Sequence, residues 1–214
     1  MHQILVYGDS LSWGIIPDTR IRLPFDRRWP GILEGKLNAS GESVRVIEDC
    51  LNGRRTVWED PFKAGRNGLE GLAQRIEVNS PLSLVILMLG TNDLQFTHPQ
   101  NNAWAAAQGV ARLVDVIRKA PIEPGMAVAP ILIVCPPQPI ASRGSMEQKF
   151  QGADQRSAGL PEAYKQMASG LGCHFFDAGA VVSVSEVDGV HLDADQHPRL
   201  GDALVDVVKR ILRA

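Results

Sequence analysis

The sequence has few cysteines, almost no net charge and no long hydrophobic run. Its three cysteines are an odd number without CxxC spacing, so we expect free thiols in a reducing, cytoplasmic compartment rather than a disulfide framework. The formal net charge is only −2, which excludes the broad basic field that nucleic acid attracts. No apolar run approaches the ~20 residues of a membrane span, and no signal peptide is evident. We therefore expect a cytoplasmic globular protein that binds neither nucleic acid nor membrane.

Short runs of Val, Ile and Leu alternate with segments whose apolar residues recur every three or four positions. Apolar residues make up 44% of the chain, which is enough for one domain over residues 1–214 with a sizeable core. Continuous apolar runs are typical of strands buried on both faces, as in a parallel sheet. The five predicted strands are Ile4–Tyr7, Val44–Glu48, Leu84–Leu89, Ile131–Cys135 and His174–Phe176. The alternation predicts a three-layer α/β/α sandwich around a five-stranded parallel sheet.

Four segments have helical spacing, and two others fit no regular element. The predicted helices are Gly31–Leu37, Leu69–Val78, Ala103–Ile117 and Leu200–Ile211. Residues 15–28 and 136–159 are predicted to be loops that shape access to a ligand. Four arginines in the first loop are interpreted as a solvated or subunit-contact surface rather than a polyanion site: Arg20, Arg22, Arg27 and Arg28.

Three short motifs with catalytic residue types stand at the predicted ends of these elements. Gly8-Asp9-Ser10-Leu11 follows the first strand, and Gly90-Thr91-Asn92-Asp93 follows the third. Asp188-Gly189-Val190-His191 precedes the last helix. Because ligands of open parallel sheets bind at the carboxyl ends of the strands, we expect one shared site.

A serine, a histidine and a carboxylate together can turn a neutral hydroxyl into a nucleophile. Ser10 is the predicted nucleophile, although a serine at this position could simply cap the next helix. His191 is the predicted general base, and Asp188 is close enough along the chain to orient its ring. Asp9 and Asp93 are predicted to bond loop N–H groups around the site.

The motifs, in this order, resemble those of the SGNH (GDSL) hydrolase family of esterases and lipases, with Gly53 as the second block. The resemblance implies the flavodoxin-like sandwich of that family and a catalytic triad of Ser10, Asp188 and His191. It also implies an oxyanion hole formed by the N–H groups of Ser10 and Gly53 and by the Asn92 side-chain amide. No cofactor is expected, and no metal, because HExxH or related ligand spacing is absent.

Local strings resemble the bacterial arylesterase/acyltransferase branch of this family, notably residues 8–14, 88–93 and 175–179. That resemblance implies hydrolysis of short-chain or aryl esters through an acyl-enzyme on Ser10, with acyl transfer to alcohols. The expected partners are a small ester and a water or alcohol acceptor. It also implies a homo-oligomer such as an octamer, which a monomer on size-exclusion chromatography would contradict. A carbohydrate O-deacetylase with the same triad is the alternative.

Apolar residues near the motifs are predicted to line the substrate pocket: Leu11, Trp13, Ile15, Phe150 and Val190. A non-catalytic binding module would be expected to lack at least one of the catalytic residues, and all are present.

Overall fold

The computed structural model describes residues 1–214 and confirms the predicted α/β sandwich. Its five strands form one sheet in which every neighbouring pair is parallel, in the order β2-β1-β3-β4-β5. The strands are β1 His2–Gly8, β2 Val44–Cys50, β3 Leu84–Met88, β4 Ile131–Cys135 and β5 His174–Asp177. Each lies within two residues of its predicted bounds, because an unbroken β-branched and leucine-rich run is a strong signal for a buried parallel strand.

Seven α-helices connect and cover the strands. They are α1 Ser10–Trp13, α2 Trp29–Ala39, α3 Leu72–Asn79, α4 Ala103–Arg118, α5 Ala153–Arg156, α6 Leu160–Gly170 and α7 Gln196–Leu212. No helix has both the length and the apolar composition needed to cross a bilayer.

Three of these helices were not predicted. The buried residues of α6 include Leu160, Tyr164 and Met167, whose spacing of four and three is helical, so the sequence contained a signal that the prediction overlooked. α1 and α5 have four residues each, which is too short for a period to be visible. The prediction that residues 15–28 and 136–159 contain no regular element was therefore wrong. A 3₁₀ turn at Phe25–Arg27 lies in the first segment, and α5 and a 3₁₀ turn at Gly144–Met146 lie in the second.

Alternating side chains of the strands build a core on each face of the sheet. Leu5 and Tyr7 of β1 point to the face covered by α3, α4 and α6. Ile4 and Val6 point to the opposite face, which α2 and α7 cover. Because successive side chains of a strand point to opposite faces, one apolar run supplies both cores.

The carboxyl ends of the central strands bring distant motifs to one edge of the sheet. β1 and β3 are direct neighbours, with Gly8 opposite Met88. The chain then leaves β3 through Gly90, whose φ of 120° suits glycine. A Cβ at this position would lie 1.9 Å from the Tyr164 hydroxyl, which itself donates to the Leu89 carbonyl. Tyr164 of helix α6 therefore leaves no space for a side chain at the position where the chain turns away from β3.

Candidate active site

Ser10 lies at the first position of helix α1, directly after strand β1. Asp9 caps this helix, with its Oδ1 accepting from the Leu11 N–H at 3.0 Å. The backbone N–H of Ser10 belongs to the first turn of the helix, where no intrahelical acceptor is available. Ser10 is 7% exposed, so its hydroxyl lies at the edge of the core rather than in open solvent.

Ser10, His191 and Asp188 form a continuous chain of hydrogen bonds. The Ser10 Oγ lies 3.1 Å from His191 Nε2, and His191 Nδ1 lies 2.7 Å from Asp188 Oδ2. An ionised carboxylate can only accept, so Nδ1 carries the ring proton and Nε2 accepts from the serine hydroxyl. Residues 181 positions apart in the chain are therefore in direct contact.

Asp188 is held as a charged group by several donors. Its Oδ1 accepts from the N–H groups of Val190 (3.0 Å) and His191 (2.9 Å), and its Oδ2 accepts from the Asp18 N–H at 3.3 Å. Burial raises the pKa of Asp188, but the hydrogen bonds and charge of His191, with the Val190 N–H, outweigh it and lower the pKa to about 2. Asp188 is therefore ionised throughout the neutral range.

Gly53 and Asn92 lie against the same cavity as Ser10 and His191. Gly53 follows β2 with a φ of 82°, a left-handed conformation that glycine adopts without strain. Its backbone N–H donates to no acceptor of the protein. Arg54 stabilises this turn, since its guanidinium stacks on the Tyr7 ring at 3.9 Å and donates to the Gly8 carbonyl at 3.1 Å.

The Asn92 side-chain amide is oriented by three protein groups. Its Nδ2 donates to Asp9 Oδ2 at 2.9 Å and to the Arg54 carbonyl at 3.1 Å. Its Oδ1 accepts from Gln95 Nε2 at 2.6 Å. Asp9 thus has two contacts, one with the serine helix and one with Asn92, and it links the first and third motifs. Burial raises the pKa of Asp9 to about 6, although the Leu11 N–H, His191 and the Asn92 amide each lower it.

Asp93 joins the loop after β2 to the loop after β3. Its Oδ1 accepts from the Thr56 N–H at 2.8 Å, and its Oδ2 accepts from the Thr56 hydroxyl. Burial raises the pKa of Asp93 to about 7, more than the Thr56 hydrogen bonds and the Arg55 charge lower it. This fully buried carboxyl group belongs to the framework of the site and does not line its cavity.

The Asp93→Asn variant should be destabilised less, relative to wild type, as the pH rises. A raised pKa in the folded state means that the Asp93 carboxyl contributes stability below its unfolded pKa near 4, and this contribution is lost as the pH rises through about 7. The free energy of unfolding of Asp93→Asn minus that of wild type should therefore increase by roughly 2–4 kcal/mol between pH 4.5 and pH 8. Urea denaturation at the two pH values measures it. The exposed Asp206→Asn on α7 is the control, and a pH-independent difference for Asp93→Asn would contradict the prediction.

The cavity at the triad is small. Its volume is about 50 Å³, and it is lined by Ser10, Ile15, Arg20, Asn52, Gly53, Asp60, Lys63, Asn92, Met146, Lys149, Phe150 and His191. A space of this size holds a short acyl group, whereas a long fatty-acyl chain would have to extend beyond it. A larger groove of about 870 Å³, lined by residues of the 136–140 and 177–186 segments, contains none of the triad.

Of the five apolar residues predicted to contact substrate, only Ile15 and Phe150 line this cavity. Leu11 is 1% exposed and packs into the core beneath α2 and α7, because α1 turns that side chain towards the sheet. Val190 packs behind Phe150, and the ring of Trp13 lies under the Arg22 guanidinium at 4.7 Å. These three residues therefore do not line this cavity, and their contact with substrate stays a prediction.

The polar lining of the cavity was missed by the sequence analysis. Arg20, Lys63 and Lys149 come from three separate loops, and nothing in their local sequence distinguishes them from solvated surface charges. Arg20 was assigned to a solvated or subunit-contact cluster. Its neighbours Arg22 and Arg28 pair with Glu48 instead, whereas Arg20 lines the cavity.

Known proteins are similar to this chain in sequence and in fold. A 91-residue segment, 42% of the chain, is 34% identical to an arylesterase of Vibrio mimicus and spans 38% of that protein. A solved carbohydrate acetylesterase family member from Sinorhizobium meliloti is 34% identical, with both chains covered completely and a TM-score of 0.93. The aryl esterase of M. smegmatis is 33% identical, with 99% of this chain and all of that one covered and a TM-score of 0.91.

The family model of the GDSL-like lipases and acylhydrolases matches residues 6–200, which include every motif described above. The resemblance inferred from the motifs is thereby confirmed, and the chain belongs to the GDSL-like lipase/acylhydrolase family.

Proposed function

We propose that this protein is a serine esterase that cleaves short-chain or aryl carboxylic esters through an acyl-enzyme on Ser10. The observation that carries the proposal is the hydrogen-bonded series Ser10–His191–Asp188, which opens onto a cavity that Gly53 and Asn92 also line. The aryl esterase and acetylesterase names of similar proteins support the same reaction class.

In the first half of the reaction, Ser10 Oγ attacks the ester carbonyl carbon and His191 Nε2 takes the hydroxyl proton. The Asp188 carboxylate stabilises the resulting imidazolium and keeps its Nδ1 proton in place. The tetrahedral intermediate then breaks its bond to the alcohol oxygen, which receives the proton from Nε2. The products of this half are a free alcohol and an acyl group on Ser10.

Negative charge develops on the carbonyl oxygen in the tetrahedral intermediate and needs donors that are already in place. The N–H groups of Ser10 and Gly53 have no competing acceptor and supply two of them. The Asn92 side-chain amide supplies the third donor. One of its two hydrogens points to the Arg54 carbonyl, so the oxyanion competes with this carbonyl for that hydrogen. Asp9 holds the other hydrogen and so fixes the plane of the amide.

In the second half, the acyl group on Ser10 is transferred to water or to an alcohol. His191 Nε2 takes a proton from this acceptor, and Ser10 leaves with the proton returned. The small cavity beside Phe150 and Met146 limits the number of waters near the acyl carbon, which supports transfer to an alcohol in competition with hydrolysis.

A substrate panel tests the proposal and separates it from the carbohydrate O-deacetylase alternative. We expect hydrolysis of 4-nitrophenyl acetate and phenyl acetate at higher kcat/KM than of acetylated xylose, with 4-nitrophenyl palmitate a poor substrate. Gas chromatography of reactions containing added ethanol would detect the transfer product. Treatment with a fluorophosphonate should add one mass that maps to the Ser10 peptide. Labelling elsewhere, or a marked preference for acetylated xylose, would contradict the proposal.

A further inference from the structure

Three cationic side chains from three different loops meet at the cavity of the triad. Arg20 comes from the loop after α1, Lys63 from the loop between β2 and α3, and Lys149 from the segment between β4 and α6. All three are exposed residues that line the same cavity as Ser10 and His191. We call Arg20, Lys63 and Lys149 the cationic rim. A chain with a net charge of −2 has thus concentrated positive charge at its candidate active site.

The cationic rim is only partly offset by the carboxylates of the protein. None of its three side chains forms an ion pair with an acidic residue. The one rim-level acid, Asp60, already lies 3.4 Å from the fully buried Arg55 and also accepts from the Phe62 N–H at 2.9 Å. Asp60 therefore shares its negative charge between the buried Arg55 and the rim, and one carboxylate does not neutralise three cations.

The members of the rim repel one another. Burial lowers the pKa of Lys63, and the charges of Arg66 and Arg20 lower it further, against the opposing effect of Asp60. Burial also lowers the pKa of Lys149. The charge of Asp60 opposes this shift, whereas the charges of Lys63 and Arg20 add to it. Three like charges with only one shared counter-charge are held together unfavourably, and a bound anion would relieve their repulsion.

Lys149 has two contacts that place it beside the cavity wall. Its ammonium group lies 6.0 Å from the centre of the Phe150 ring, and Phe150 itself is a wall of the cavity. The Lys149 carbonyl accepts from the Phe96 N–H at 2.9 Å, which fixes the backbone of this segment. The backbone of Lys149 is therefore held next to the cavity that its side chain lines.

We propose that the cationic rim selects esters that carry a negatively charged group, such as a carboxylate, within a few bonds of the reacting carbonyl. This inference rests on the proposed esterase function of Ser10 and names its substrate class. The short acyl group enters the 50 Å³ cavity, and the anion stays at the mouth between Arg20, Lys63 and Lys149. The ester is cleaved by the Ser10 steps given above, so no further reactant is required.

The test compares esters that differ only in charge. On the alcohol side, 4-acetoxybenzoate is paired with the neutral 4-acetoxybenzamide. On the acyl side, mono-4-nitrophenyl succinate is paired with 4-nitrophenyl succinamate. For each pair, the ratio of kcat/KM for the anionic ester to that for the neutral ester is measured in wild type and in Lys63→Gln/Lys149→Gln, so that intrinsic reactivity cancels.

In at least one pair of esters, this ratio should fall by about tenfold in the double variant. Each contact between the substrate anion and an exposed lysine contributes a small factor to kcat/KM, and two such contacts are removed. Increasing the salt concentration to about 1 M should lower the wild-type ratio in the same direction. The matched control is Lys165→Gln, an exposed lysine on α6 that does not line the cavity, and its ratio should equal that of wild type.

A ratio that stays within twofold of wild type in both pairs would overturn the proposal for the rim. If Ser10→Ala in that case no longer hydrolyses the neutral esters, the proposed esterase function still holds. Hydrolysis that persists in Ser10→Ala would overturn the esterase function itself. The two proposals therefore fail in different measurements.

Discussion

Replacing Ser10 with alanine is expected to lower kcat for 4-nitrophenyl acetate by roughly 10⁴- to 10⁶-fold. The substitution removes the oxygen that attacks the ester and leaves the backbone, the cavity and the Asp188–His191 pair in place. His191→Ala should cause a loss of similar size, because the Ser10 hydroxyl then has no base within 3.1 Å to take its proton. The double variant should be little slower than either single variant, since the two residues act as one unit.

The neighbouring Ser12 is a matched control for the serine substitution. It lies on the same helix, and its hydroxyl makes only a 3.8 Å contact with the Met88 sulfur, so Ser12→Ala should keep most of the activity. Circular dichroism would verify that each variant is folded. Losses for Ser10→Ala and His191→Ala that multiply in the double variant would show that the residues do not act together, and the proposed mechanism would then be wrong.

Asp188→Asn is expected to lower kcat by about 10⁴-fold, with KM changed much less. An asparagine fills nearly the same space, but it has no charge to stabilise the imidazolium. Its amide group can also donate to Nδ1, which would place the ring proton on Nε2, where it cannot accept from Ser10. The pKa of Asp188 is lowered to about 2, so wild type holds this charge over the whole working range of pH.

Steady-state kinetics of Asp188→Asn beside Asp195→Asn would measure this effect. Asp195 stands four residues after His191, with an exposed side chain that pairs with Arg199 at 3.6 Å. Its substitution removes one negative charge and no contact with the histidine, and it should change kcat by less than a factor of about two. A loss below about tenfold for Asp188→Asn would mean that the carboxylate only positions the loop through the Val190 and His191 N–H groups.

The strands, the two-sided core and the position of the motifs could be predicted from sequence because each depends on neighbours along the chain. An apolar run such as Leu84–Met88 can only be stable when both of its faces are covered, and this requires a sandwich. Gly8 and Gly90 mark the points where the chain leaves β1 and β3. Parallel pairing then brings Ser10 and Asn92 to the same edge.

The walls of the pocket could not be predicted in the same way. Leu11 and Phe150 are both large apolar residues near a motif, yet one belongs to the core and the other lines the cavity. The difference comes from the direction in which a four-residue helix and a long loop turn each side chain. Hydrophobic pattern does not contain that information.

The amino-acid sequence by itself determined the sandwich, its family and the residues that supply a hydroxyl, an imidazole and a carboxylate, since local patterning and motif order are enough for these. Only the tertiary structure decided that Arg20, Lys63 and Lys149 face one cavity. Each lies on a different loop, and the energy of a charge depends on the distances to other charges in space, which separation along the chain does not specify.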